Sequence, residues 1–360
     1  MIGPAILLLG SYLAVSCGID SFLYPKLLAV FVGALACMRG PRHDSPLRPY
    51  FPLILGLACV SAAVSGSPLQ SALGLFRSPT AGLLGLAAAW MAYEAGRHRS
   101  ADDWWLVVFG ASVCSILALI QLHPAAPWHG LVPNGRAIGT VGSPPYLSCM
   151  LALAVPVAAL RAPRALIFII PALLATQSKA GILGGIMGLY VLFLQRLDLS
   201  TRKLNTMIAA AAFVLTAYML NRGASDTMRI ETWSISWRAF LERPWLGWGP
   251  DNLIDAFMRL RTPAWAEAAG SGGMTVAENA HNLGLHILAT RGLFGMAATV
   301  ALGAAAGRGL LNQAPESIWN HEERGILLAC TAAVLAYSMF NPTPYMAWCI
   351  LAFMLGSLGL

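Results

Sequence analysis

The 360-residue sequence has few charged side chains: 11% are charged, 57% are hydrophobic and the mean hydropathy is +0.65. Soluble globular proteins carry about 25% charged residues. The shortage argues against a water-soluble domain, because the apolar excess must face something other than water. A lipid bilayer is the usual solution. The sequence therefore predicts an integral membrane protein.

Several motifs that carry chemistry in other enzymes are absent from the sequence. It has no CxxC pair, no GxxxxGK[ST] phosphate loop, no GxSxG elbow and no HExxH pair. It also lacks an Asp-x-Asp pair, which disfavours a metal-dependent sugar-nucleotide transferase. The seven cysteines lie in apolar stretches and are expected to pack rather than bind metal. The net charge of +7 is scattered, so no nucleic-acid partner is predicted.

The apolar stretches predict an all-α polytopic protein with about 12 transmembrane helices, arranged as a single integral membrane domain over residues 1–360. A spanning helix needs about 20 mainly apolar residues. The predicted spans are 2–19, 22–38, 50–66, 80–96, 104–122, 146–160, 165–176, 181–195, 206–220, 286–307, 325–340 and 345–360.

Basic residues are distributed unevenly between alternate loops. One side holds Arg39, Arg42, Arg48, Arg97, Arg99, Arg161, Arg164, Arg196, Arg202, Lys203, Arg308 and Arg324, whereas the short loops of the other side hold only Arg77, Arg136 and Lys179. An excess of Lys and Arg marks cytoplasmic loops. Both termini are therefore predicted in the cytoplasm, and the segment 221–281 is predicted to be a large loop on the outer side.

Two outer segments, about 123–146 and 221–281, are long enough to hold chemistry beside the bilayer. In the second, Ser225 or Asp226 is suited to cap a helix that runs to about Glu242. Helical spacing places its large apolar side chains on one face: Ile230, Trp233, Trp237, Phe240 and Leu241. This pattern predicts an amphipathic helix at the membrane interface.

His281 is the sharpest single candidate for chemistry. It follows Glu278 and precedes Asn282, where the tenth predicted span approaches. Histidine is the side chain that exchanges a proton near neutral pH. The alternative interpretation is a hydrogen-bonded histidine at the level of the lipid headgroups.

Three cations on the outer side are candidates for binding an anionic group. Arg229 lies near the start of the interfacial helix and either holds phosphate oxygens or touches headgroups. Lys179 lies between two short helices, where its charge needs water, a headgroup or an anion. Arg136 either positions substrate or braces its loop.

The spacing of these residues resembles the O-antigen ligase and polymerase superfamily. The matching pattern is Arg229, Trp233, Pro244-x-x-Gly247-x-Gly249, Ala280-His281-Asn282-Leu283 and Arg291-Gly292-Leu293-Phe294-Gly295. A second block, Gly135-Arg136-x-x-Gly139-Thr140-x-Gly142-Ser143-Pro144, is similar to a looser family block that usually reads Asn-Pro-Asn where this chain has Ser143-Pro144-Pro145.

The resemblance implies a GT-C-like membrane enzyme of the bacterial inner membrane with its active site facing the periplasm. Such enzymes transfer a glycan from undecaprenyl diphosphate to a hydroxyl of lipid A–core, of another glycan or of a protein, without a metal or other cofactor. By position, Arg229 and Lys179 would hold the diphosphate and His281 would act near the acceptor. Arg136, Glu278 and Asn282 would bind substrate. The family commonly has arginine where this chain has Lys179.

Two rival functions remain open at this stage. A transporter or flippase of lipid-linked saccharides would favour charged residues deep in the spans and internal repeats. A non-catalytic scaffold of a polysaccharide-assembly complex would need no concentrated polar site. In this sequence the predicted spans have almost no charged residues and the polar candidates are concentrated in one outer loop, which favours the transferase.

Overall fold

The computed structural model of the protein describes residues 2–15, 23–38, 42–74, 80–99, 103–126, 129–195, 224–263, 265, 267, 276–311 and 321–360. Within these ranges the fold is all-α, as predicted, and no strand occurs. The helices are α1 (Ile2–Leu13), α2 (Leu23–Cys37), α3 (Tyr50–Ala63), α4 (Pro68–Leu73), α5 (Gly82–Gly96), α6 (Trp104–Gln121), α7 (Pro144–Arg161), α8 (Leu166–Ala175), α9 (Lys179–Gln195), α10 (Ala224–Glu242), α11 (Leu253–Leu260), α12 (Leu283–Leu311), α13 (His321–Ser338) and α14 (Tyr345–Ser357).

Eleven of the predicted spans coincide with one of these helices, and the span 206–220 lies outside the described residues. By length and composition, α6, α7 and α12 are long and apolar enough to cross a membrane. Most of the others are shorter apolar helices. The number of about 12 transmembrane helices and the GT-C-like arrangement therefore stay predictions. The short helices α4 and α11 lie in segments for which the sequence predicted no helix.

Close backbone contacts bring the starts of α7 and α9 together with the end of α13. A Cβ atom placed on Gly181 would clash with the Cβ of Ser148, and one on Gly184 would lie 2.6 Å from the carbonyl oxygen of Ala333. Small residues at such crossings allow helix backbones to approach closely. The start of α12 joins this end of the bundle, because Nδ2 of Asn282 donates a hydrogen bond to the carbonyl oxygen of Met339 at 3.3 Å.

Helix α12 is broken at Gly292, where φ is 64° and ψ is −165°. A break frees backbone groups that must find other partners when they are buried. The segment 244–249, which carries the P-x-x-G-x-G pattern, supplies them. The N–H groups of Trp248 and Gly249 donate to the carbonyl oxygens of Ala289 (2.9 Å) and Thr290 (2.8 Å), respectively. In the opposite direction, the N–H groups of Leu293 and Phe294 donate to the carbonyl oxygens of Pro244 (2.7 Å) and Trp245 (3.3 Å), respectively. The outer segment is thus joined directly to the break.

Candidate functional site

Short-range hydrogen bonds hold His281 in an unusual backbone conformation just before α12. Its φ is 49°, a left-handed value that is uncommon outside glycine. Its N–H donates to Oδ1 of Asn279 at 3.0 Å. On the other side, Oδ1 of Asn282 accepts the N–H of Leu285 at 3.0 Å, as a helix-capping residue does. Two asparagines therefore fix the backbone of His281 relative to the start of α12.

The imidazole of His281 is uncharged at neutral pH. Burial, and then the nearby positive charge of Arg229, lower its pKa to about 4, against a smaller opposing effect of a hydrogen bond with Asn341. The Nδ1 atom is buried and has no hydrogen-bond partner among the described residues. An uncharged imidazole has one ring nitrogen that is able to accept a proton.

Arg229 lies in the second turn of α10 and is half-buried. The sequence placed it at the start of this helix, but the helix begins at Ala224, so the free N–H groups of the first turn do not surround it. Its charge acts on His281, which places these two predicted residues together.

Helix α10 is anchored through its more polar face. Ile235 and Ser236 are buried, and Nε1 of Trp265 donates to Oγ1 of Thr232 at 3.1 Å. The predicted apolar face is the exposed one: Ile230, Trp237 and Leu241 are 49%, 46% and 57% exposed, whereas Phe240 is buried. An apolar stripe exposed on one side suits the predicted interfacial helix.

Glu278 lies three residues before His281 and is partly exposed. Partial burial, and then the charge of Asp251, raise the pKa of its carboxyl group. Glu278 also interacts electrostatically with Tyr146 at the start of α7. The carboxylate thus faces both the outer segment and the bundle.

Arg136 and Lys179 lie on the two sides of the turn between α8 and α9. Nε of Arg136 donates to the carbonyl oxygen of Thr176 at 2.9 Å, and the N–H of Ala137 donates to the carbonyl oxygen of Ala175 at 3.0 Å. These bonds satisfy carbonyl groups at the end of α8. Lys179 is the first residue of α9 and its side chain is exposed. Arg136 therefore braces its loop against the turn that precedes Lys179.

The predicted site residues form two groups at one end of the bundle. The first contains Arg229, Glu278, His281 and Asn282, and the second contains Arg136 and Lys179. The start of α7 lies between them, because Tyr146 interacts with Glu278 while Ser148 packs on Gly181 of α9. The two groups together contain three cations, an uncharged imidazole and a carboxylate.

The sequence reasoning missed Asp251 and Asn341. Asp251 directly follows Pro250, just after the Pro244-x-x-Gly247-x-Gly249 pattern, and that pattern does not include it. Its side chain is 2% exposed in the structure. Asn341 precedes Pro342 in the turn after α13, and a polar residue beside proline in so apolar a segment was an available signal.

Comparison with known families confirms the resemblance over part of the chain. Residues 165–300 match the family model described as O-antigen ligase. This stretch includes Lys179, Arg229, Glu278, His281 and Asn282 and supports the O-antigen ligase and polymerase superfamily. No curated protein matches the chain. The match and the apolar helices together indicate, in general terms, a membrane enzyme of the O-antigen ligase or polymerase type.

Proposed function

We propose that the protein transfers a glycan from undecaprenyl diphosphate to an acceptor hydroxyl on the periplasmic side of the bacterial inner membrane. The observation that carries this proposal is the proximity of Arg229 to an uncharged His281, whose pKa it lowers. A fixed cation beside an available base is the combination that acid–base transfer from a diphosphate requires.

The cations serve the leaving group. When the bond between the sugar carbon and the diphosphate oxygen breaks, negative charge grows on the diphosphate. Arg229 offers a planar two-point contact to phosphate oxygens, and Lys179 offers a compact point charge. Preorganised charges aimed at developing charge stabilise the transition state more than the ground state.

His281 serves the acceptor. The acceptor hydroxyl attacks the sugar carbon as the diphosphate leaves, and its proton passes to the uncharged imidazole. Glu278 and Asn282 lie within four residues of this base in the chain and are suited to bind sugar hydroxyls, as carboxylate and amide groups accept and donate hydrogen bonds. The lipid diphosphate supplies the driving energy, so no nucleotide is required outside the cell.

Three purified variants test the proposal with a native lipid-linked glycan and candidate acceptors. His281→Ala removes the base and is expected to abolish transfer, whereas His281→Gln shows whether hydrogen bonding alone suffices. The matched control is His123→Ala, which removes an exposed histidine of the other outer segment and is expected to leave turnover unchanged. Near-normal turnover of His281→Ala would refute the role of His281 as the base. If neither wild type nor any variant transfers glycan to any acceptor, a transporter or scaffold would be favoured.

A further inference from the structure

The turn 247–252 of the outer segment is held from two sides. On one side, the N–H groups of Trp248 and Gly249 bind carbonyl groups at the break in α12. On the other side, Asn252 donates to the carbonyl oxygen of Ser67 at 3.1 Å and to Oγ of Ser71 at 3.0 Å. The turn therefore links the region of α4 to the helix that follows His281.

Asp251 connects this turn to α4 and to the start of α5. Its carboxylate accepts the N–H of Gly82 at 3.0 Å and the hydroxyl of Thr80, and its carbonyl oxygen accepts Nε2 of Gln70 at 3.0 Å. Its φ is 57°, a conformation that aspartate tolerates better than most residues. A buried carboxylate with several donors aimed at it is costly to remove, because the donors lose their partner.

Asp251 is also electrostatically connected to both flanks of the His281 segment. Its charge acts on Glu278, three residues before His281, and on Arg291, at the break in α12. Neither interaction requires Asp251 to touch a substrate. The residue thus ties the start of α5, the outer segment and the region of His281 into one unit.

We propose that Asp251 is a positioning residue of the site. By fixing the turn 247–252 to the start of α5, it holds the segment 278–291 in a fixed position relative to Arg229. This inference rests on the proposed function. Misplacement of reacting groups by about 1 Å costs roughly 100-fold in rate. Loss of Asp251 is therefore expected to lower kcat far more than it changes the KM for the lipid-linked donor.

Three variants separate the shape of Asp251 from its charge. Asp251→Ala removes both. Asp251→Asn keeps the shape, since its amide oxygen accepts the N–H of Gly82 and its amide nitrogen donates to the oxygen of Thr80. The matched control is Asp255→Asn, four residues on, where a half-buried carboxylate accepts the hydroxyl of Ser67 at 3.0 Å.

We expect Asp251→Ala to lower kcat by about 100-fold, with the donor KM within about threefold of wild type. Asp251→Asn is expected to keep most of kcat, because its amide group preserves the hydrogen bonds with Gly82 and Thr80 that fix the turn. Asp255→Asn should match wild type in both kcat and KM. A normal kcat in Asp251→Ala, or a kcat as low in Asp251→Asn as in Asp251→Ala, would overturn the proposal.

Amide hydrogen exchange provides a readout that does not depend on catalysis. In Asp251→Ala, peptides covering 80–84 and 280–293 should exchange faster than in wild type and in Asp255→Asn, because the turn no longer holds the break. Unchanged exchange at 280–293 would show that Asp251 does not position this segment. If every form including wild type failed to transfer glycan, the proposed function would fail, while the exchange data would still decide the positioning role.

Discussion

A Cβ atom placed on Gly292 would clash with the carbonyl oxygen of Trp245. The outer segment therefore approaches the break in α12 as closely as backbone atoms allow, and only a residue without a side chain fits between them. The P-x-x-G-x-G run and the later glycine of Arg291-Gly292 are thus two halves of one junction. The two patterns are more than forty residues apart in the sequence, so the sequence alone does not show that they are in contact.

Gly292→Ala is expected to destabilise the protein strongly. The backbone at Gly292 has φ 64° and ψ −165°, a region that residues with a Cβ essentially do not adopt, and strain there costs roughly 1–3 kcal/mol before the clash is counted. The expected result is a lower unfolding temperature in detergent and a loss of transfer.

Gly303→Ala is the matched control for this change, because it lies in the same helix with no atom within 4 Å of the added Cβ. Alanine is favoured over glycine in a helix interior by about 1 kcal/mol, so this variant should be as stable as wild type or more so. Equal unfolding temperatures for both variants would contradict the junction described for Gly292.

The depressed pKa of His281 predicts a dependence of stability on pH. Between about 4 and 6.5 the unfolded chain binds a proton at this histidine while the folded chain does not. Folding stability should therefore fall as the pH is lowered from 6.5 towards 4, and this contribution should level off below 4. Unfolding temperatures of wild type and His281→Gln across this pH range measure this contribution. The unfolding temperature of the variant should depend less steeply on pH than that of wild type.

Arg229→Gln tests whether the charge of Arg229 lowers the pKa of His281. Removing the positive charge leaves burial as the only cause that lowers the pKa of His281, so its pKa should rise above about 4. The stability slope should then span a narrower pH range than in wild type. A slope identical to that of wild type would mean that Arg229 does not act on the imidazole.

Much of the helical framework could be predicted from the sequence because apolar runs mark where helices pack or meet lipid. Eleven predicted spans coincide with helices, and α10 ends at Glu242 as predicted. The break in α12 could not be predicted, because the residues around Gly292 do not indicate a helix break and its partners lie in another segment. Asp251 was missed for the same reason: Thr80 and Gly82, which bind it, lie about 170 residues earlier in the chain.

Membrane topology is open to a direct labelling test. The distribution of basic residues predicts that Asn134 lies outside and Arg164 lies in the cytoplasm, and both side chains are exposed in the structure. Single cysteines at these positions, in a background without the native cysteines, should react with an impermeant reagent from opposite sides. If Asn134→Cys reacts only when the reagent has access to the cytoplasmic side, the predicted orientation is wrong. The proposed site would then lie on the cytoplasmic side.

Lys179 is the position at which the chain departs from the common family pattern, and its role separates two interpretations. Its side chain is exposed at the first residue of α9, beside the turn that Arg136 braces. If it contacts the diphosphate, its loss removes a preorganised contact to developing charge, which typically costs about 100-fold or more in turnover. Lys179→Ala should then be severely impaired at saturating donor, whereas Lys179→Arg, which keeps the charge, should retain substantial activity.

A lysine that only reaches to lipid headgroups predicts near-normal rates for Lys179→Ala and Lys179→Gln alike. Arg48→Ala, which removes an exposed cation outside both groups of site residues, is the control for a general loss of charge. An active Lys179→Ala enzyme would leave Arg229 and Arg136 as the candidates for holding the diphosphate.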